Sequence, residues 1–267
     1  MKKHIFIAVV ILFLGLGLMA YAGTRLQEAE QVYKEGDESY ERLREQLSIE
    51  VSNEDPKEEK ETDTSEDPLP EQEPQEPNTE IPPLSIDLDL LKKLNGDAVA
   101  WLYCPDTVID YPVMKADDYS YYLNHLPDGK MNANGSLFID YNNAADFRDP
   151  LTVIYGHHMK SGKMFGSLVG YKKQSYYDEH PHMYLYTRQG NYRIDLIYGS
   201  VIDARQWRSR AFMYAENLSS LMSYAAHATT FKSDVRYKAG DRVVVMTTCS
   251  YEFDDARYMV LGILVPV

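Results

Sequence analysis

The sequence predicts a mainly β protein with short helices and an N-terminal helical extension. Eight short runs rich in β-branched and aromatic residues follow one another, separated by Pro, Gly, Asn and Asp. Only one helical pattern, from about Asn217, interrupts the last third, so the strand–helix alternation of parallel α/β sheets is missing. Many short strands in this order favour a closed or nearly closed β-barrel. The runs are VAWLYCP, TVIDYPVM, GSLFID, LTVIYG, MYLYT, YRIDLIYGSVI, DRVVVMTTC and ARYMVLGILVPV.

The chain begins with an apolar run of about eighteen residues, from Ile5 to Ala22. That length is just enough to span a bilayer as a helix. Lys2 and Lys3 before it favour a cytoplasmic N-terminus and an exported remainder. We therefore expect residues 1–24 to be a transmembrane signal-anchor of a single-pass cell-membrane protein whose folded domain is extracellular. Cleavage after Ala22 is the alternative, since AYA matches the small-x-small pattern of a signal peptidase site.

A helical stripe follows the apolar run and predicts a juxtamembrane helix over residues 25–49. Its apolar positions recur every three or four residues, with Gly36 as a weak point. A dimerising coiled coil is the alternative use of this stripe. The stripe consists of Leu26, Ala29, Tyr33, Gly36, Tyr40, Leu43 and Leu47.

We expect residues 50–83 to be a disordered linker and residues 84–267 to be the folded domain. From Val51 to Pro83 there are roughly twelve acidic residues against two lysines, and about half of all the prolines. Such a segment cannot bury enough apolar surface to offset its ordering entropy.

The formal net charge of -14 also argues against a nucleic-acid binder, which needs a basic face. The folded domain opens with SIDLDLLKKLNGD, which predicts a helix capped by Ser85 and ended by Gly96.

The stretch TTCSYEFDDAR combines a cysteine and an arginine at the mouth of a predicted hairpin. In an antiparallel pair, Cys249 and Arg257 face each other with Cβ atoms ~5 to 8 Å apart. The arginine can favour a thiolate, or stabilise an oxyanion that forms when the sulfur attacks a carbonyl. Two plainer readings stay open: a buried cysteine beside a surface arginine, or a disulfide between Cys104 and Cys249.

A nucleophilic cysteine needs a proton-transfer partner, usually histidine. IYGHHM supplies His157 and His158 directly after a strand, and adjacent side chains there point to different sides. At most one of them therefore faces a given site. With His180 and His182 they could be imagined as a zinc site, but no Cys or carboxylate has a recognisable ligand spacing. We expect no metal.

In this order, IYGHHM and TTCSYEFDDAR resemble the motifs of the class B sortases, and WLYCPDTVIDYPVM, GSLFIDYNN and YGHHMKSGKMFGSL extend the resemblance. The resemblance implies an eight-stranded sortase-type barrel. The family's catalytic histidine directly follows the glycine, which selects His157; its cysteine and arginine correspond to Cys249 and Arg257. The family pattern T-L-x-T-C is altered here, since Val245 and Met246 replace its Thr and Leu.

The resemblance also implies a function: a cysteine transpeptidase of Gram-positive bacteria. It would cleave a C-terminal sorting signal of NP-x-T type after the threonine through a thioester, then transfer the client protein to an amine of peptidoglycan or its precursor. No cofactor is required. We expect Thr247, Thr248 and Tyr251 to line the substrate groove. A pilin-polymerising sortase that uses a subunit lysine, and a non-catalytic envelope-binding module, are the alternatives.

Overall fold

The computed structural model describes residues 2–50, 81–208 and 215–267. Most of the predicted linker, residues 51–80, lies outside the described residues. In chain order the helices are α1 (Lys2–Leu47), α2 (Leu88–Leu94), α3 (Gln174–Glu179), α4 (Ala204–Arg208) and α5 (Leu218–His227), with 3-10 helices at Tyr121–Leu123, Phe165–Lys172 and Ala215–Asn217. The strands are β1 (Ser48–Glu50), β2 (Leu84–Ile86), β3 (Ala98–Tyr103), β4 (Asp110–Met114), β5 (Leu137–Ile139), β6 (Leu151–Tyr155), β7 (His182–Thr187), β8 (Gly190–Asp203), β9 (Val243–Cys249) and β10 (Ala256–Pro266).

Within these ranges, eight strands close into a barrel in the order β10-β8-β7-β3-β4-β5-β6-β9, which confirms the predicted fold class. Most neighbours are antiparallel, but β4 with β5 and β6 with β9 are parallel. Parallel strands run in the same direction, so the C-terminal ends of β6 and β9 leave the barrel at the same edge.

The near-continuous apolar run of β9 reflects burial on both faces. Val244 and Met246 belong to one hydrophobic cluster, whereas Val243 and Val245 belong to a second that includes Leu221 of α5. Alternate residues of a strand face opposite sides of the sheet. Because α5 covers the side opposite the first cluster, both sets of side chains are apolar.

The predicted transmembrane signal-anchor at residues 1–24 is wrong. Across the described part of the chain, no helical segment combines the length and the apolarity that a bilayer crossing needs. The apolar run from Ile5 is the opening part of a 46-residue helix, α1, which carries charged residues repeatedly from Arg25 onward. The single-pass cell-membrane localisation inferred from this run, with its extracellular domain, is corrected with it.

The second half of α1 packs against the barrel. Tyr40, Leu43 and Leu47 are buried in the same hydrophobic cluster as the barrel core, whereas Leu26 is 71% exposed. The Tyr40 hydroxyl donates a hydrogen bond to the Gly135 carbonyl. This end of the predicted stripe therefore contacts its own chain, and does not need a second copy to cover it.

Gly36, expected to be a weak point of the helix, lies in close contact with the barrel domain. A Cβ at this position would clash with the side-chain amides of Asn132 and Asn134. The same two amides donate hydrogen bonds to main-chain carbonyls of α1, at Val32 (2.7 Å) and Tyr33 (3.2 Å). The glycine permits this close contact because it has no side chain.

The cap of α2 is Asp87, and the predicted cap Ser85 is wrong. The Asp87 carboxylate accepts a hydrogen bond from the Leu90 amide at 2.8 Å. Ser85 lies in β2, opposite Ile49 of β1. Pairing with β1 holds the backbone of Ser85 extended, so the helix begins later than the sequence suggested.

Candidate active site

The parallel pair β6 and β9 brings the histidine and cysteine motifs to one edge of the barrel. Tyr155 lies opposite Thr247 in this pair, and the Gly156 amide donates to the Thr247 carbonyl at 3.3 Å. The Thr248 hydroxyl, which is buried, donates to the Gly156 carbonyl at 2.8 Å. The residues that follow, His157 and Cys249, therefore leave the sheet side by side.

The hairpin of β9 and β10 places Arg257 directly opposite Cys249. Side chains of residues paired in an antiparallel sheet lie on the same face, so the two side chains leave the hairpin on the same side. Both residues are half-buried. One guanidinium nitrogen, Nη1, donates to the Ala256 carbonyl at 3.0 Å, which anchors the side chain.

His157 is held through one ring nitrogen. Its Nε2 lies 2.6 Å from the main-chain carbonyl oxygen of Leu123, in the 3-10 helix Tyr121–Leu123. A carbonyl only accepts hydrogen bonds, so Nε2 carries a proton. In the neutral ring Nδ1 is then unprotonated, and it can accept a proton while Nε2 keeps the imidazole oriented.

His157, Cys249 and Arg257 line one cavity of about 530 Å³. Thr247 and Thr248 also line it, whereas Tyr251 is not among the lining residues and is 70% exposed. The structure thus brings five of the six predicted site residues together. The Thr248 hydroxyl already bonds the Gly156 carbonyl, which gives it a structural contact within the wall of the cavity.

Aromatic side chains form much of the cavity wall, and sequence reasoning missed them. The members are Tyr119, Phe138, Tyr155 and Trp207, with Leu123 beside them. They come from a loop (Tyr119), two strands (Phe138 and Tyr155) and a helix (Trp207), so no single period separates them from the many other aromatic residues. Only the closed barrel collects them around the cysteine.

A buried carboxylate fixes two of these rings. Asp140, 3% exposed, accepts hydrogen bonds from the hydroxyls of Tyr119 (2.8 Å) and Tyr155 (3.0 Å). Burial, together with the nearby Asp140 charge, raises the pKa of Tyr155 far above its usual value. Tyr155 therefore stays neutral and serves as a hydrogen-bond donor at the cavity wall.

The two cysteines are not joined. Both thiols are free, and Cys104 is buried with its sulfur 3.6 Å from the Tyr171 hydroxyl. Burial raises the pKa of the Cys104 thiol, which opposes formation of a reactive thiolate there. The disulfide that the sequence left open is therefore not formed, and Cys104 occupies the core as a small apolar side chain.

The comparisons with known proteins that find relatives all indicate the same family. No family model matches the chain. Sortase B of Listeria monocytogenes is 32% identical over 179 residues, which cover 66% of this chain and 72% of that protein. The crystal structure of sortase B from Staphylococcus aureus complexed with MTSET has a TM-score of 0.62 and 26% identity, covering 67% of this chain and 78% of that one.

A Streptococcus pyogenes class B sortase involved in pilus biogenesis matches with a TM-score of 0.61 and 25% identity, covering 67% of this chain and 98% of that one. The barrel, the order of the motifs and these relatives agree. The chain belongs to the class B sortases, a family of cysteine transpeptidases.

Proposed function

We propose that this chain cleaves a C-terminal sorting signal of NP-x-T type after its threonine and transfers the client protein to an amine of peptidoglycan or its precursor. Family membership supports sorting-signal substrates and peptidoglycan-related amines in general. The particular motif and acceptor, and the residue roles below, are our proposal for this chain.

Transfer of the Cys249 thiol proton to Nδ1 of His157 gives a thiolate and a ring that is protonated on both nitrogens. In the first half-reaction, the thiolate sulfur attacks the carbonyl carbon of the signal's threonine. The carbon–nitrogen bond of the peptide breaks, and the leaving amine takes a proton from Nδ1 of His157. The product is a thioester between Cys249 and the client. Since Nε2 of His157 is anchored on the Leu123 carbonyl, Nδ1 is the nitrogen available for this transfer.

In the second half-reaction, an amine attacks the thioester carbon and gives a proton to His157. The carbon–sulfur bond breaks, the new amide forms, and Cys249 returns as a thiolate. The histidine thus ends with the proton that it lost, and no external oxidant, reductant or cofactor is consumed.

Arg257 stabilises the oxyanion that forms at each tetrahedral stage. It lies opposite Cys249 on the same face of the hairpin, so its donors can reach an oxygen on the attacked carbon. Loss of one such donor typically costs about 3 to 4 kcal/mol of transition-state stabilisation. Thr247 and Thr248 contribute to the wall of the peptide groove.

The observation that carries the proposal is the shared cavity at the common edge of β6 and β9. A thiol, an imidazole anchored by one nitrogen and a guanidinium line this single cavity, with an aromatic wall beside them. These are the groups that acyl transfer through a thioester requires.

The test uses the full chain, since the buried α1 residues Tyr40, Leu43 and Leu47 belong to the core cluster. Intact mass is read after mixing with an NP-x-T peptide, with and without an added amine. We expect a covalent adduct in the wild type and in Cys104→Ala, none in Cys249→Ala, and a ligated product when the amine is present. An adduct that survives in Cys249→Ala would refute the assignment of the nucleophile. No adduct across a varied set of peptides would favour a binding module.

A second candidate is polymerisation of pilin subunits, in which a lysine of another subunit is the amine. The similarity to the Streptococcus pyogenes class B sortase involved in pilus biogenesis favours it. The same acyl-enzyme can be offered a peptidoglycan-type peptide amine or a lysine-bearing pilin peptide. Faster resolution by the pilin lysine would select this second function.

A further inference from the structure

His158, the second histidine of the HHM motif, has no part in the reaction proposed above. Its Nδ1 lies 2.7 Å from the main-chain carbonyl oxygen of Cys249. Because the carbonyl can only accept, Nδ1 is the protonated nitrogen. The ring also packs against Tyr251, with the two centroids 4.9 Å apart. His158 therefore donates a hydrogen bond to the main chain of the candidate nucleophile itself.

The register of the sheet explains why a side chain is needed there. The Ser250 amide donates to the Ala256 carbonyl at 2.9 Å, so Ser250 and Ala256 form a hydrogen-bonded pair in the β9–β10 hairpin. Such pairs alternate with non-hydrogen-bonded ones in an antiparallel ladder. The adjacent pair, Cys249 and Arg257, is then non-hydrogen-bonded, and the Cys249 carbonyl points away from β10 toward β6.

On the β6 side, the ladder continues in steps of two residues. The Thr247 carbonyl accepts from the Gly156 amide, and two residues later on each strand the Cys249 carbonyl accepts from His158. The first donor is a main-chain amide and the second is a ring nitrogen, since strand β6 has already ended at Tyr155. His158 thus supplies the last rung of the β6–β9 ladder with its side chain.

A separate anchor holds the residues after Cys249. Lys172 donates to the Ser250 hydroxyl at 2.8 Å, forms an ion pair with Glu252, and lies 5.1 Å from the centroid of the Tyr258 ring. This anchor does not involve His158. Loss of the His158 rung therefore leaves the hairpin mouth attached, while the Cys249 backbone loses its direct link to the segment that carries His157.

We propose that His158 is a positioning residue for acyl transfer. Its ring N–H fixes the Cys249 backbone relative to His157, and so sets the geometry between the sulfur and the imidazole. The inference rests on the proposed role of Cys249 as nucleophile. It requires the hydrogen bond at Nδ1 and no proton transfer by His158.

The test compares four variants of the full chain in steady-state transpeptidation of an NP-x-T peptide onto an amine. In His158→Ala we expect kcat to fall about tenfold, because loss of one hydrogen bond lets the Cys249 backbone shift relative to His157. KM should stay within about twofold of the wild-type value. His158→Asn can place its amide N–H near the position of Nδ1, and should recover kcat to within about threefold. His158→Gln reaches the position of Nε2 instead, and should behave like the alanine variant.

His227→Ala is the matched control. Its Nδ1 also lies 2.7 Å from a main-chain carbonyl, that of Ser223, but it is exposed at the end of α5, a helix that contributes no residue to the lining of the cavity. We expect wild-type kcat and KM for this variant. Thermal unfolding of every variant separates a loss of folding from a loss of positioning.

Several results would overturn the inference. Wild-type kcat in a folded His158→Ala would do so, as would a folded His158→Asn with no more activity than the glutamine variant. If His158→Ala fails to fold, the comparison of the asparagine and glutamine variants decides. Acylation of the wild type is measured first. If no adduct forms, the proposed function is wrong, and this inference is wrong with it. If the adduct forms normally but the His158 variants keep wild-type kcat, only this inference is wrong.

Discussion

The hydrogen bond between Thr248 and Gly156 ties the strand of Cys249 to the strand of His157, and its removal can be predicted quantitatively. Thr248 is 3% exposed, and its hydroxyl donates to the Gly156 carbonyl at 2.8 Å. Thr248→Val keeps the shape of the side chain and removes only the donor. The net loss of a buried hydrogen bond is about 1 kcal/mol, and the deprived carbonyl raises the total to about 1–3 kcal/mol.

Urea unfolding of the full chain measures this loss. With a slope of about 2 kcal/mol per molar, the midpoint should fall by roughly 0.5–1.5 M. Thr247→Val is the matched control: Thr247 is the preceding residue, 2% exposed, and its hydroxyl has no hydrogen-bond partner among the described residues. Burying an unpaired hydroxyl is unfavourable, so valine there should keep the midpoint or raise it.

The pair of variants also separates the two hydroxyls in activity. Thr248→Val should lower kcat, because it loosens the link between β9 and the segment that carries His157. Thr247→Val should keep kcat near the wild-type value, since its hydroxyl is buried and has no hydrogen-bond partner within the described fold. An unchanged midpoint for Thr248→Val, or an equal loss in both variants, would refute the reasoning.

Three further outcomes are expected. Gly36→Ala should lower the thermal midpoint by displacing α1 from the barrel domain. Gly23→Ala, whose added Cβ meets open space, should leave the thermal midpoint unchanged or raise it. Equal effects of the two substitutions would contradict the close contact at Gly36. Burial alone would raise the pKa of Glu252, but hydrogen bonds from Lys172 and Ser250 hold it below its ordinary value of 4.5. The stabilisation from that contact is therefore complete above the ordinary pKa and is lost as pH falls through the lowered pKa of the folded state. The difference in urea midpoint between the wild type and Lys172→Met should shrink as the pH is lowered. A difference that does not change with pH would contradict this. Thiol labelling read by mass should modify Cys104 only after denaturation, since it is buried, and rapid labelling of Cys104 in the native protein would contradict the structure.

Sequence reasoning found the strands because each depends on local composition. The eight predicted runs correspond to the eight barrel strands, and the helix predicted from about Asn217 is α5. It failed where a distant segment overrides a local pattern. Ser85 reads as a helix cap, but pairing with Ile49 of β1 draws it into a strand. The apolar run from Ile5 reads as a membrane span, but no helix in the ranges described meets that requirement.

By itself, the sequence determined the fold class, the order of the motifs and the resemblance to class B sortases, because these depend on residue patterns along the chain. It also predicted that Cys249 and Arg257 face each other, since a hairpin is a local structure whose register follows from a short loop. The family resemblance implied that His157 joins them, but only the tertiary structure shows how, because the parallel pairing of β6 with β9 connects residues about ninety positions apart. The same pairing places His158 on the Cys249 carbonyl and gathers the aromatic wall, and neither contact leaves a periodic trace in the sequence.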